Sequence, residues 1–206
     1  MKHDQLIEST IKYFSKLPGF GPRSAKKTVL FFLKNKDFIQ NLITNLTELE
    51  EKIKLCEICF NASTSSKCNI CLDENREKSK ICVVSDIDDI WNIEKSLTFK
   101  GVYHSLCGNL SAVSGVTPDK LTIQSLLSRL SSGEFNEIIF ANNLSIDGAT
   151  TVFYIMDEIE KLQSQGIIKQ DLKITELANG IPIGANLEYM DEGTIEVAFK
   201  ERREIK

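Results

Sequence analysis

Four of the six cysteines stand in two pairs, Cys56 with Cys59 and Cys68 with Cys71, inside "CEICFNASTSSKCNIC". The spacing is C-x2-C, eight residues, C-x2-C. Two such turns can aim four thiolates at one point, and sulfurs about 2.3 Å from a zinc ion close a tetrahedral site. No position is left for water, so such a site is structural and not catalytic. The stretch between the pairs, "FNASTSSK", has little to bury and needs a staple. Two rival uses are a pair of disulfides and a redox C-x-x-C. A reducing compartment disfavours the first, and the second normally comes once, at the start of a helix after a strand. The expectation is one structural Zn²⁺ per chain. Cys82 lies in an apolar strand and reads as a core residue, while Cys107 has no assignment.

A second set of residues is cationic. In "LPGFGPRSAKK", residues 17–27, Gly19 and Gly21 each adjoin a proline, and Arg23, Lys26 and Lys27 follow. Glycine permits positive φ and close approach of another backbone. Pro22 suits the first position of a helix, and that helix's free N–H groups and dipole would face an anion. Arg23, Lys27 and Lys34 fall at i, i+4 and i+11, away from the apolar stripe of Ala25, Val29 and Phe32. From Ser9 to Lys36 there are seven cations and no acid. Gly19, Gly21, Arg23, Lys26, Lys27 and Lys34 are therefore the candidate DNA-binding residues, gripping phosphates without reading bases. The plainer alternative is a helical hairpin with a solvated basic face.

These residues need elements to hold them. Residues 4–17 show Leu6, Ile7, Ile11 and Phe14 at helical spacing, "PGFGP" breaks that helix, and a second begins at Pro22. A third, about 36–54, carries Phe38, Ile39, Leu42, Leu46, Leu49 and Ile53. Beyond the cysteines the texture changes. "ICVV" (81–84), "GVYHSL" (101–106), "EIIFA" (137–141) and "LKIT" (172–175) read as short, nearly continuous apolar strands. Helical segments alternate with them near 86–97, 119–131 and 149–164. That alternation predicts a mostly parallel sheet covered by helices.

The chain has 206 residues and a formal net charge of -4, with 42% hydrophobic and 26% charged residues, an ordinary globular composition. The charge is uneven. Residues 1–54 hold ten Lys and Arg against six Asp and Glu, a net of +4, and the remainder carries -8. A local positive field on an acidic chain points to a polyanion site. No apolar run approaches the ~20 residues of a membrane-spanning helix. "MKHDQLIEST" lacks the apolar core of a secretory signal, so a cytoplasmic location is expected.

Leu17, Gly19, Phe20 and Gly21 give the turn a hydrophobic-Gly-hydrophobic-Gly core that resembles the helix–hairpin–helix motif of DNA repair proteins. "FANNLSIDGATT", residues 140–151, resembles the Toprim domain of topoisomerases, primases and some nucleases. That resemblance implies a Glu at the end of the first strand, an Asp-x-Asp and later acids, which together hold Mg²⁺. Here the first-strand position is Ser85, the two aspartates correspond to Asn143 and Ser145, Ala149 replaces one later acid, and only Asp147 remains. Asp86, Asp88 and Asp89 lie nearby, either as substitute metal acids or as first-turn acids favoured by a helix dipole.

The order of the three parts, with "CVV", "GVYHSL", "IEK" and "GIPIGANLEYMDEGTIEVAF" (180–199), resembles the bacterial recombination mediator RecR family over nearly the whole chain. The resemblance implies an α+β chain of several segments. These are a helix–hairpin–helix region at 1–54, a four-cysteine zinc finger at 55–76, a Toprim-like α/β domain at 77–177 and a short C-terminal segment at 178–206. It implies a non-enzymatic mediator of recombinational repair that clamps DNA as a ring-shaped homotetramer. Such a mediator works with RecO, and with RecF, to load RecA on gapped DNA. Asp147 is then a candidate partner-binding residue. Ser85 departs even from RecR, which usually has Glu there. The alternative is a metal-dependent nuclease or primase using a displaced set of acids, Asp86, Asp89 and Asp147.

Overall fold

The computed structural model describes residues 4–143, 145–178, 180–202 and 204, so the extreme ends of the first and last expected segments lie outside the described residues. The chain divides into two compact units, residues 1–53 and 54–206.

The first unit is helical: α1 (Gln5–Phe14), α2 (Pro22–Lys34) and α3 (Lys36–Lys52). α1 ends three residues short of the expected bound, because Ser15 already donates its N–H and its hydroxyl back to the Ile11 carbonyl and closes the last turn. Ala25 and Val29 of α2 are buried as expected. Around them Phe14, Phe20, Phe32 and Phe38 form an aromatic chain with ring centroids 5.4–6.3 Å apart. The face of α3 is only partly used. Ile39 and Leu42 are half-buried, whereas Phe38, Leu46, Leu49 and Ile53 stay exposed.

The second unit opens with β1 (Lys54–Leu55) and β2 (Ala62–Ser63), which pair antiparallel, and the single turn α4 (Asn69–Leu72). Then come β3 (Glu77–Val84), α5 (Ile87–Ser96), β4 (Gly101–Ser105), α6 (Ile123–Leu130), β5 (Glu137–Ala141), α7 (Ile146–Ser164) and β6 (Lys173–Glu176). A last helix, α8 (Glu192–Lys200), lies in the C-terminal segment. The four long strands make one sheet in the order β4-β3-β5-β6, with every pairing parallel. β3 is central and buried on both faces, which is why "ICVV" is an unbroken apolar run. Its Ile81 and Val83 join Val102, Leu126, Ile138, Phe140 and Ile155 on one face. Its Cys82 and Val84 join Ile90 of α5 and Tyr103 on the other. Cys82 is thus a core residue, and burial pushes its thiol up to about 12. α6 begins later than expected because Pro118–Lys120 forms a separate 3-10 turn, and α7 begins earlier because Ser145 caps it.

Candidate functional site

The two cysteine pairs converge. The Sγ atoms of Cys56, Cys59, Cys68 and Cys71 all lie within 4.8 Å of one another. Two of the edges are Cys59 to Cys68 at 3.5 Å and Cys56 to Cys71 at 3.9 Å. Sulfurs about 2.3 Å from a common tetrahedral ion would be about 3.8 Å apart, so the donor set fits a small divalent cation. Cys56, Cys59 and Cys68 are buried, and the Cys68 N–H donates to the Cys56 sulfur at 3.3 Å, a contact suited to a thiolate acceptor. Cys59 is pushed far up and Cys68 far down, each first by their mutual hydrogen bond. Cys71 is pushed up to about 12, where its bond to Cys59 pulls down and its bond to Cys68, with burial, outweighs it.

The first cysteine turn needs one uncommon backbone. Phe60 has φ 61°, and its N–H closes the turn onto the Cys56 carbonyl at 3.0 Å. Its ring meets the edge of His104 in β4, with centroids 5.3 Å apart. The Ser105 N–H donates to the Cys59 carbonyl at 2.9 Å, and the Trp91 indole N–H of α5 donates to Asn61 Oδ1 at 3.2 Å. The cysteine cluster is therefore fastened to β4 and α5. Behind it, Arg129 of α6 donates through Nη1 to the Tyr103 carbonyl at 2.8 Å and to His104 Nδ1 at 3.1 Å. His104 Nδ1 is then an acceptor and Nε2 carries the proton, which it gives to Thr122 Oγ1 at 3.0 Å. Thr122 passes its own proton to the Ser105 carbonyl at 2.6 Å. Burial first, and then the Arg129 charge, push His104 down to about 3. Burial likewise lowers Arg129, while the four cysteine sulfurs pull it back up.

In the first unit Gly19 has φ 74°, and its left-handed backbone makes the bend between α1 and α2. Gly21, at φ -79°, is instead the N-cap of α2, with no side chain to satisfy the first-turn N–H groups. Arg23 and Ser24 therefore present their amides at an uncapped helix start. Arg23, Lys26, Lys27 and Lys34 are all exposed.

At the carboxyl end of the sheet, Ser85 is buried. Its hydroxyl donates to Asn109 Oδ1 at 3.0 Å and accepts from Asn142 Nδ2 at 3.2 Å, while Asn142 Oδ1 is buried with no partner among the described residues. Asp86 is the N-cap of α5, and Asp89 closes a capping box by accepting the Asp86 N–H at 3.1 Å. Burial is the first cause that raises Asp89. Ser145 caps α7 by accepting the Gly148 N–H at 3.1 Å. Asp147 is half-buried in the first turn of α7, and its carbonyl accepts the Thr151 hydroxyl at 2.6 Å.

The Toprim domain family matches residues 79–175, and the RecR C-terminal family matches residues 180–203. Recombination protein RecR of Novosphingobium aromaticivorans is 39% identical over 202 residues, covering 98% of each chain. Its counterpart in Parvibaculum lavamentivorans is 41% identical over 198 residues, covering 96% of each. That of Rhizobium etli is 39% identical over 197 residues, covering 95% of this chain and 94% of the relative. The chain belongs to the RecR family. Within that family, the four-cysteine cluster and the parallel Toprim sheet are the parts whose geometry is now explicit.

The structure brings together the four cysteines, and it brings Asp86 and Asp89 together as a helix cap. Ser85, just after β3, is bonded to two amides, those of Asn109 and Asn142. Several residues that hold these places carried no signal in the chain: Asn61, Trp91, His104, Asn109, Arg129 and Asn142. Each reaches its partner across 24 or more residues of sequence, except that His104 and Thr122 are separated by 18. Cys107 is exposed with φ 59°, in the loop whose Gly108 N–H donates to the Ser85 carbonyl.

Proposed function

We propose that this chain is a DNA-binding recombination mediator and not an enzyme. The carrying observation lies at the carboxyl end of the sheet. Metal-dependent phosphoryl chemistry needs carboxylates that hold Mg²⁺ there. Ser85 is instead tied to Asn109 and Asn142, and Asp86 and Asp89 are engaged as caps. Among the described residues Asp147 belongs to no cluster of three or more possible metal ligands.

The DNA-binding part is the helix–hairpin–helix region, 1–54, where Gly19 and Gly21 shape the turn and Arg23, Lys26, Lys27 and Lys34 meet phosphates. The exposed, acid-free face of α2 and its uncapped start support this reading. The next part, 55–76, holds one structural Zn²⁺ through Cys56, Cys59, Cys68 and Cys71, since four soft thiolates favour zinc and leave no open position. The Toprim-like part is 77–177, and the remainder, 178–206, is the C-terminal segment.

Assembly follows the family expectation of a ring-shaped homotetramer around DNA in the cytoplasm. RecO and RecF act with it to load RecA, and Asp147 is the partner contact. The apolar residues left exposed on α3 support association of copies. Among the described residues no helix is long and apolar enough to cross a membrane.

Light scattering with and without gapped DNA, alongside a Mg²⁺ and Mn²⁺ cleavage assay, tests the reading. Stable binding with intact DNA is expected. Divalent-dependent cleavage that survives stringent purification and disappears in Asp147→Ala would replace the mediator with a nuclease.

A further inference from the structure

Arg129 is a half-buried cation whose hydrogen-bond partners are all neutral. Its Nη1 serves the Tyr103 carbonyl and His104 Nδ1, and its guanidinium lies 5.6 Å from the centre of the Phe135 ring. Among the described residues no carboxylate forms an ion pair with it. A guanidinium cannot shed its proton, so a buried one needs a compensating negative charge. The cleft it lines supplies two kinds. Glu74 and Glu134 stand there exposed, where water screens them. Cys71, one of the four clustered sulfurs, lines the same cleft beside Ile58 and Val102.

When four thiols bind one divalent cation they release four protons to solvent, and the centre keeps two negative charges. Three of its four cysteines are buried, so that charge is poorly screened. We infer that Arg129 is the counter-charge of the metal centre, held in place from the sheet side by Tyr103 and His104. The inference rests on the zinc reading above. It explains why a cation is kept against a neutral histidine. It also couples metal loading to the seat of α6 on β4, because the same guanidinium that compensates the sulfurs fastens the two elements together.

The full-length protein tests this with two variants. R129Q keeps a donor for the Tyr103 carbonyl and removes the charge, while R129K keeps the charge and removes the planar fork. Zn²⁺ affinity is read by competition with a chromophoric chelator, and Co²⁺ titration reports thiolate ligation directly. The expected result is one thiolate-bound ion per chain, at least roughly tenfold weaker in R129Q and within roughly threefold of wild type in R129K. Melting adds a sign. R129Q should cost more stability in the zinc-loaded protein than in the stripped protein, where the cation is left uncompensated. If wild type binds one ion, and R129Q matches it in affinity and loses equally with and without metal, the pairing is wrong and the zinc site stands. If wild type binds no metal, the zinc reading falls and the pairing falls with it. Should R129Q not fold in either state, R129K decides, since a tenfold loss with the charge retained overturns the proposal.

Discussion

The backbone N–H of Ser105 donates to the carbonyl of Cys59 at 2.9 Å. This bond joins the last residue of a sheet strand to a cysteine 46 positions earlier, inside the first cysteine turn. With the Phe60–His104 and Trp91–Asn61 contacts it makes the cysteine cluster an extension of the sheet.

Metal removal should therefore be felt beyond the cluster. One Zn²⁺ per chain is expected by elemental analysis of protein purified without added metal. Stripping it with a chelator should lower the melting temperature by roughly 10 °C, since binding to a four-thiolate site is also folding free energy. The Trp91 fluorescence should change in the same transition as the far-ultraviolet signal, because the indole is bonded to the cluster's Asn61. A separate, earlier Trp91 transition would show that the cluster melts alone.

Arg23→Ala/Lys27→Ala should weaken DNA binding alike for all sequences. Two lost phosphate contacts flatten the slope of log affinity against log salt by about 1.8 for each copy engaged on duplex DNA. Melting should hardly change, since both side chains are exposed. Unchanged affinity and slope in a normally folded double variant would move the DNA site elsewhere.

Ser85 tests the carboxyl end of the sheet. Ser85→Ala leaves Asn109 Oδ1 and Asn142 Nδ2 unpaired, at a cost of about 1–3 kcal/mol in denaturant unfolding. Ser85→Glu supplies the acid that the resemblance implies but sets a carboxylate against the Asn109 oxygen at a position only 2% exposed, so it should cost at least as much. Neither variant should cleave DNA with Mg²⁺. A stabilised Ser85→Glu protein would show that the pocket still prefers an acid.

His104 sets a pH dependence. In the folded chain it takes a proton only near about 3, first because it is buried and then because Arg129 faces it. In the unfolded chain it does so near about 6.5. Between these values the unfolded state binds more protons, so stability is complete above the unfolded pKa and is lost as pH falls towards the folded one. The loss approaches about 1.4 kcal/mol per pH unit. Urea unfolding of zinc-loaded protein from about pH 7 to about pH 5.5 should show roughly 1 kcal/mol less loss in His104→Gln than in wild type. Equal losses would mean that His104 does not stay neutral.

Local chemistry was enough for the cysteine pairs, the Gly19 bend, the Pro22 helix start and the apolar strands. Each depends on residues a few positions apart, where spacing and backbone freedom already decide the geometry. The acids at 86–89 were ambiguous because a metal ligand and a helix cap use the same carboxylates. The fold shows Asp86 and Asp89 in a capping box. Packing corrected other limits. α3 carries an apolar face that its own unit leaves half exposed, and Ser145 drew the start of α7 back to Ile146. The ring of neutral partners around Ser85, the fastening of the cysteines to β4 and the seat of Arg129 came only with the fold. Those contacts join side chains from separate elements of a parallel sheet, whose neighbours are set by long crossovers and not by any local repeat.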